Sequence, residues 1–411
     1  MRNSEVTMEK ASKINRRVKV EIDLDALSRN YLKIVRRVAP AEVLCVLKAN
    51  AYGLGVGAFA SALLDAGCRR FGVAEPFEAL ELRRSIAPAK GDVQILSSIL
   101  PDEIDEMVKA RVTLPVAGID EAKAISASAA RQRRIAKIHF KIDTGMGRLG
   151  ILAKDAPEVV RAVSSMPNLD CEGIFSHFAM AFDPKDPFTR EQIRSFKAVL
   201  AAVAKDGIGF RKVHIAASDA INNFPETFKK PFNLVRTGIN LHGSFDPNGR
   251  KALDVEPVLS LKTRVAQVRT LPAGTTLGYG RTWCLAKETR VATICAGYAD
   301  GLPLALSNRA FVLVGGRRCR VIGRISMDYA TIDVSDAPEV KSGDEVICFG
   351  ADGGDTITPD DWAAVKGTHS YDIICSLGNR VQRLAVAHGR PGVANAFRQA
   401  VRPASSTSRK R

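Results

Sequence analysis

The chain has 411 residues, 46% of them hydrophobic and 25% charged, which is enough apolar material for two globular domains or one large one and excludes a disordered chain. Its formal charge of +16 admits an anionic partner, yet the excess gathers in the termini "MRNSEVTMEKASKINRR" and "SSTSRKR" and in "RQRRIAK", with no basic stripe interleaved with aromatics, so no nucleic-acid binding is expected. No run approaches the about 18 apolar residues of a membrane span, the charged N-terminus has no apolar segment behind it, and the cysteines form no C-x-x-C pair, so the expectation is a cytoplasmic protein with reduced core thiols, no membrane association and no metal site.

From residue 18 to about 243, short β-rich runs alternate with segments of helical periodicity. The runs are "VKVEIDL", "EVLCVLKA", "RFGVAE", "DVQILSS", "VTLPVAG", "KIHFKIDT", "LDCEGIFSHF", "KVHIAAS" and "NLVRTGINLHG". Between them lie segments such as "ALSRNYLKIVRRV" and "TREQIRSFKAVLAAVAKDG", with apolar residues at helical spacing. About eight such strand-helix units fit a (β/α)8 TIM-like barrel over 18–250 better than an open doubly wound sheet. Beyond about residue 250 the texture becomes alternating strands and glycine turns, which predicts a mostly β C-terminal domain over 251–392. Residues 1–17 and 393–411 read as basic tails.

Barrel chemistry sits at the C-terminal ends of strands, and several unusual residues fall there. In "VLCVLKANAYGLGVG", Lys48 ends an apolar run: its stem can pack while the amine reaches solvent, or the amine can form a Schiff base or act as a base. In "KIDTGMGRLG", Arg148 follows a glycine turn that is either structural or the holder of a carboxylate. His177 in "IFSHFAMAF" is either a core histidine or a ring that stacks on a planar ligand. The last two strands carry "HIAASDA" and "VRTGINLHG", where Ser218, Gly238 and Ile239 suit a phosphate. Arg236, inside a β run, needs an anion or a ring nitrogen as partner. In the β domain, "GYADG" offers Tyr298, "GRISMDY" offers Met327, and "GTHSYDI" offers Tyr371.

Taken in order, "VLKANAYGLG", "KIDTGMGRLG", "SHFA", "ASDA", "VRTGINLHG", "GYADG", "GRISMDY" and "SYDIICSLGNRV" resemble the motif series of the bacterial alanine racemases, over about residues 17–385. The resemblance implies that Lys48 carries pyridoxal 5'-phosphate as a Schiff base. It assigns Tyr52, Ser218, Gly238, Ile239 and Tyr371 to the phosphate, Arg236 to the pyridine nitrogen, His177 to the ring face and Arg148 to the phenolic oxygen. It further implies a head-to-tail homodimer in which Tyr298 and Met327 of one subunit complete the other's site, with Met327 at the substrate carboxylate, and a possible carbamate on Lys141 that orients Arg148.

The implied reaction is the interconversion of L- and D-alanine, supplying D-alanine to the cell wall or consuming it. Two acid/base groups on opposite faces of Cα suffice, with Lys48 on the D-substrate face and Tyr298 on the L-substrate face. The sequence departs from the family pattern at Leu54, where a histidine is common, at His242, where a tyrosine is common, and in "NRVQRLA". A racemase of broader or different specificity, for serine, lysine or arginine, stays as an alternative, because pocket volume and not motif sets that choice. A barrel-type decarboxylase would place a carboxylate where Arg236 stands, and a single-barrel cofactor-binding protein would lack the β domain.

Overall fold

The structure, a computed structural model, describes residues 16–387, so most of the two basic tails lies outside the described residues. It divides into two compact units, and each has its own logic. One groups Ile22–Leu259 with Thr358–Cys375, and the other groups the segment up to Glu21 with Ser260–Ile357 and Ser376–Leu384.

The strands up to the end of the barrel are β1 (Lys19–Asp23), β2 (Glu42–Val46), β3 (Arg70–Val73), β4 (Asp92–Ile95), β5 (Leu114–Val116), β6 (Ala136–Asp143), β7 (Ile151–Leu152), β8 (Leu169–Phe175), β9 (Lys212–His214) and β10 (Leu234–Thr237). Parallel ladders run in the orders β10-β2-β3-β4 and β5-β6-β8-β9. Backbone bonds close the two into a ring: Thr113 N donates to Val93 O at 2.8 Å between β4 and β5, and Arg236 N donates to Ala216 O at 3.0 Å between β9 and β10. The eight barrel strands are nearly continuous apolar runs because both of their faces are covered. Helices such as Leu24–Val38 face the barrel with Leu27, Ile34 and Val38; Asp23 caps that helix by accepting from the Asp25 and Ala26 amides.

The first run, "VKVEIDL", is not a barrel strand, which corrects the count that began at residue 18. β1 joins the sheet of the β unit instead, beside β11 (Leu259–Leu271). Its composition explains this: Val20 and Ile22 are buried while Lys19 and Glu21 alternate outward and pair with Lys262 and Glu345. Strict alternation marks a strand with one wet face. The helices Pro359–Lys366 and Ser370–Cys375 also fall on the other side of the division from the cut at 250/251, grouping with the barrel.

The β unit is organised on β11. Its 13 residues pair antiparallel with Thr289–Ile294 along one stretch and with Glu345–Asp352 along another. Arg16 and Arg17, read as tail residues, are tied to this unit through Asn379 O and the Tyr329 hydroxyl.

Candidate active site

Lys48 follows β2 and is exposed, and the chain behind it does something rare for residues with a β-carbon. Ala49, Asn50, Ala51 and Tyr52 all take left-handed helical dihedrals, with φ between 52° and 58°. Each such residue costs roughly 1–2 kcal/mol, so the turn persists only because it is tied down. Asn50 Oδ1 accepts from Val56 N at 2.7 Å, the Ala49 amide donates to the Glu78 carboxylate, and the amides of Leu54 and Gly55 both donate to Asn50 O. Leu54 is buried and closes this turn through its backbone. The turn drives the Tyr52 ring into the barrel unit, where it is 2% exposed.

Tyr52 meets Tyr371 edge-on, with ring centroids 5.4 Å apart, and His242 at 4.8 Å. His242 donates from Nδ1 to Gly238 O at 3.1 Å and stacks on Phe59. The Gly238 amide donates to Ser218 Oγ at 3.1 Å. Burial pushes the Tyr371 phenol far up in pKa, and the Ser218 hydroxyl and Ile239 amide that face it pull only partly against that. Tyr52, Ser218, Gly238, Ile239 and Tyr371 are therefore gathered in one place, and all of them are neutral.

Arg236 on β10 is 4% exposed and, among the described residues, is bound by no carboxylate. Nη1 donates to His214 Nδ1 at 2.8 Å, and Nη2 donates to Ser176 O at 2.8 Å, Ile215 O at 3.0 Å and His177 Nδ1 at 3.2 Å. Burial alone lowers its pKa to about 9. His177 is lowered to about 3 by burial and by Arg236, Arg148, Lys141 and Lys48, so its ring is neutral and accepts from Arg236. Lys141 on β6 is buried, donating to Leu96 O at 2.5 Å and Ser97 O at 3.1 Å. Burial first, then Arg236 and Arg148, lowers it to about 8. Arg148 is exposed, after a glycine turn folded around Asp143, whose carboxylate accepts from the Gly145, Met146 and Gly147 amides.

Tyr298 and Met327 belong to the β unit. The Tyr298 amide donates to Ser326 O at 3.0 Å and the Ala299 amide to Met327 O at 3.1 Å, so the two motifs form one clasp. A β-carbon on Gly297 would collide with the carbonyls of Ser326 and Met327, which is why the approach requires glycine there. Arg380 locks the clasp by binding Asp300 at 2.7 Å and Asp328 at 2.6 Å. Both side chains stand outward, Tyr298 at 44% and Met327 at 52% exposure.

A phosphorylated planar ring fits these residues. Hydroxyls and amides converge where a phosphate would lie, a β-carbon on Gly238 would fill that cradle, and a guanidinium rather than a carboxylate stands ready for a ring nitrogen. Reading the sequence alone missed Gln94, His139, Glu172 and His214, which lie beneath Arg236. The available signal was a histidine or glutamate at an inward position of an otherwise apolar parallel strand.

Comparison with known proteins points to one family. Residues 22–246 match the family model described as alanine racemase, N-terminal domain, and residues 258–385 match alanine racemase, C-terminal domain. The alanine racemase of Desulforamulus reducens is 40% identical over 370 residues, 89% of this chain and 98% of that protein. Alanine racemase 2 of Caldanaerobacter subterraneus is 37% identical, covering 91% of this chain and 96% of its own. The crystal structure of alanine racemase from Streptomyces lavendulae superposes with a TM-score of 0.84 at 35% identity, over 92% of this chain and 99% of that one. That from Bartonella henselae, with covalently bound pyridoxal phosphate, gives 0.81 at 29% identity, over 90% of this chain and 100% of that one.

Proposed function

The chain belongs to the alanine racemase family, and from that premise we propose that it interconverts L- and D-alanine with pyridoxal 5'-phosphate held on Lys48. When bound, the cofactor supplies an aldehyde that engages amino groups and a conjugated ring that spreads the negative charge left when Cα loses a proton. Everything else falls to the protein.

The observation that carries the reading is the neutral cradle beside a carboxylate-free arginine. Tyr52, Ser218, Tyr371 and the amides of Gly238 and Ile239 would hold the phosphate through neutral donors. Arg236 would offer the ring nitrogen an N–H, and because a guanidinium does not readily release its proton, it would not protonate that nitrogen. Arg236 would thus withdraw less charge from Cα through the ring than an aspartate partner would, which would favour prompt return of the proton to Cα. His177, neutral and braced by Arg236, would supply the face on which the ring packs, and Arg148 would address the phenolic oxygen. Lys141 is a reactive buried amine suited to a carbamate, which would hold Arg148 in place.

Lys48 Nζ takes or returns the proton on the D-substrate face, and Tyr298 Oη does so on the L-substrate face. Tyr298 and Met327 stand outward on a clasp braced by Arg380, a presentation that suits completing the site of a second copy in a head-to-tail homodimer, with the main chain of Met327 addressing the substrate carboxylate there. Eight free cysteines suit a reducing compartment, and on that ground we assign the enzyme to the cytoplasm; separately, no helix of the described residues is long and apolar enough to cross a membrane.

Racemisation of L- and D-alanine by the purified protein, assayed beside serine, lysine and arginine, tests the reading. Alanine should be the preferred substrate, and Lys48→Ala should lose both turnover and the visible absorbance of the bound cofactor. Cofactor trapped by borohydride on another lysine, or no turnover of alanine, would overturn it.

A further inference from the structure

Beneath Arg236 a file of buried polar side chains crosses the barrel. His214 Nε2 lies 3.0 Å from His139 Nδ1, and His139 Nε2 lies 3.0 Å from Glu172 Oε2. Both histidines are fully buried and Glu172 is 5% exposed. The other oxygen of Glu172 faces Arg70 at 3.5 Å and Lys137 at 3.6 Å, near the starts of β3 and β6.

The ends of the file dictate its middle. Arg236 can only donate and an ionised Glu172 can only accept. Arg236 Nη1 must therefore find a lone pair on His214 Nδ1, which puts the His214 proton on Nε2. That proton requires a lone pair on His139 Nδ1, which puts the His139 proton on Nε2, pointing at Glu172. Gln94 Nε2, 3.1 Å from His139 Nδ1, is a donor on the same side and agrees with this direction. The terminal nitrogens of Arg236 are all engaged by His214, Ser176, Ile215 and His177, leaving its Nε–H for a ligand in the barrel mouth.

Two backbone features serve the file. The β6–β8 register slips between Ile138 and His139, so that Glu172 is the extra residue of a bulge, and bulges re-aim side chains. A β-carbon on the neighbouring Gly173 would come within 2.6–2.8 Å of three atoms of the His139 ring, so glycine is what lets the ring lie there.

We propose that Glu172 is a positioning residue for the reaction: acting through His139 and His214, it fixes both imidazole tautomers and so keeps a lone pair facing Arg236. This rests on the reading that Arg236 addresses the ring nitrogen of the cofactor. Glu172→Gln makes the requirement visible. Arg70 and Lys137 attract the amide oxygen, which turns the NH2 toward His139 Nε2. A neutral file then answers by moving the proton of each imidazole from Nε2 to Nδ1, and His214 presents a hydrogen to the hydrogen of Arg236.

The test is nitrogen NMR of histidine-labelled holoenzyme, tractable because the chain has six histidines, combined with cofactor absorbance and steady-state kinetics. In the wild type, His139 and His214 should both be Nε2–H tautomers. In Glu172→Gln both should become Nδ1–H, the cofactor band should shift, and kcat should fall about tenfold or more, on the order of 1.4 kcal/mol, with KM for alanine changed less than about twofold. Glu172→Asp, which keeps an acceptor, should restore the wild-type tautomers and most of kcat. Gly173→Ala, which displaces the His139 ring without altering any charge, should reproduce the spectral shift and carries the test if the glutamine variant does not fold. Unchanged tautomers in Glu172→Gln, or inverted tautomers with the spectrum and kcat intact, overturn the proposal. Arg236→Lys separates the two readings: if it too leaves the cofactor spectrum unchanged, the assignment of Arg236 is at fault, whereas if it shifts the spectrum and Glu172→Gln does not, the fault lies with Glu172.

Discussion

The hydroxyl of Tyr52 occupies the space that a β-carbon on Gly238 would need. Because the Tyr52 ring is held by Tyr371 and His242, it cannot simply swing aside. Gly238→Ala should therefore displace the hydroxyl and spoil the phosphate cradle while leaving the barrel folded. The expected result is about a tenfold rise in the apparent Kd for pyridoxal 5'-phosphate, on the order of 1.4 kcal/mol, read by fluorescence titration. An unchanged Kd would remove Tyr52 and Gly238 from the phosphate site.

Tyr298→Phe deletes one base of two. Exchange of the Cα hydrogen with solvent deuterium should slow by roughly 10²–10⁴ for L-alanine and much less for D-alanine. Equal slowing for both enantiomers, with the cofactor still bound, would rule out a base on each face.

Mixing Lys48→Ala with Tyr298→Phe subunits tests where Tyr298 acts. If it serves a neighbour, half of randomly mixed dimers contain one intact site of two, so recovery should reach about a quarter of wild-type activity after subunit exchange. Inactive heterodimers of normal fold would confine Tyr298 to its own subunit.

Lys141, lowered to about 8 by burial and by Arg236 and Arg148, has far more neutral amine at physiological pH than an ordinary lysine. Since only the neutral amine adds carbon dioxide, ¹³C-bicarbonate should give a carbamate NMR signal that grows as pH rises through about 8 and vanishes in Lys141→Arg. A signal that survives in that variant would belong to another lysine.

Glu172 links the site to acid stability. Burial pushes its carboxyl up, but His139, Arg70 and Lys137 overcome that and hold it at about 2 against an ordinary 4.5. A carboxyl lowered on folding stabilises above its unfolded value and loses that contribution as pH falls, here between 4.5 and about 2. The stability advantage of wild type over Glu172→Gln should shrink across that window, by at most on the order of 3 kcal/mol. Urea unfolding at stepped pH reads it, and a constant gap would mean that Glu172 is not ionised against these partners.

How much of this was legible in the sequence depends on what kind of signal each feature leaves. The barrel strands announce themselves as apolar runs, and Lys48, Arg148 and Arg236 stand out as charges at their ends or within them. The first strand was misplaced because "VKVEID" was counted by its position before a helix, although its alternation of buried and wet residues already pointed to a one-faced sheet. The His139, His214 and Glu172 file was missed because periodicity registers which side chains point inward, not which inward residues touch across three different strands. The clasp of Tyr298 and Met327 depends on Arg380, some 50 residues or more away in sequence from both of its acidic partners, and no local pattern reveals such a pairing.

The left-handed turn from Ala49 to Tyr52 sets stability against precision within one short segment. Glycine at Ala49 or Ala51 would relax the backbone by about 1 kcal/mol once its greater freedom in the unfolded chain is counted. A selection for heat resistance alone would therefore favour glycine here, and each acceptance would loosen the tether that aims Tyr52 and carries Lys48. Engineering this protein for durability should leave these four positions alone and look for its gains elsewhere in the chain.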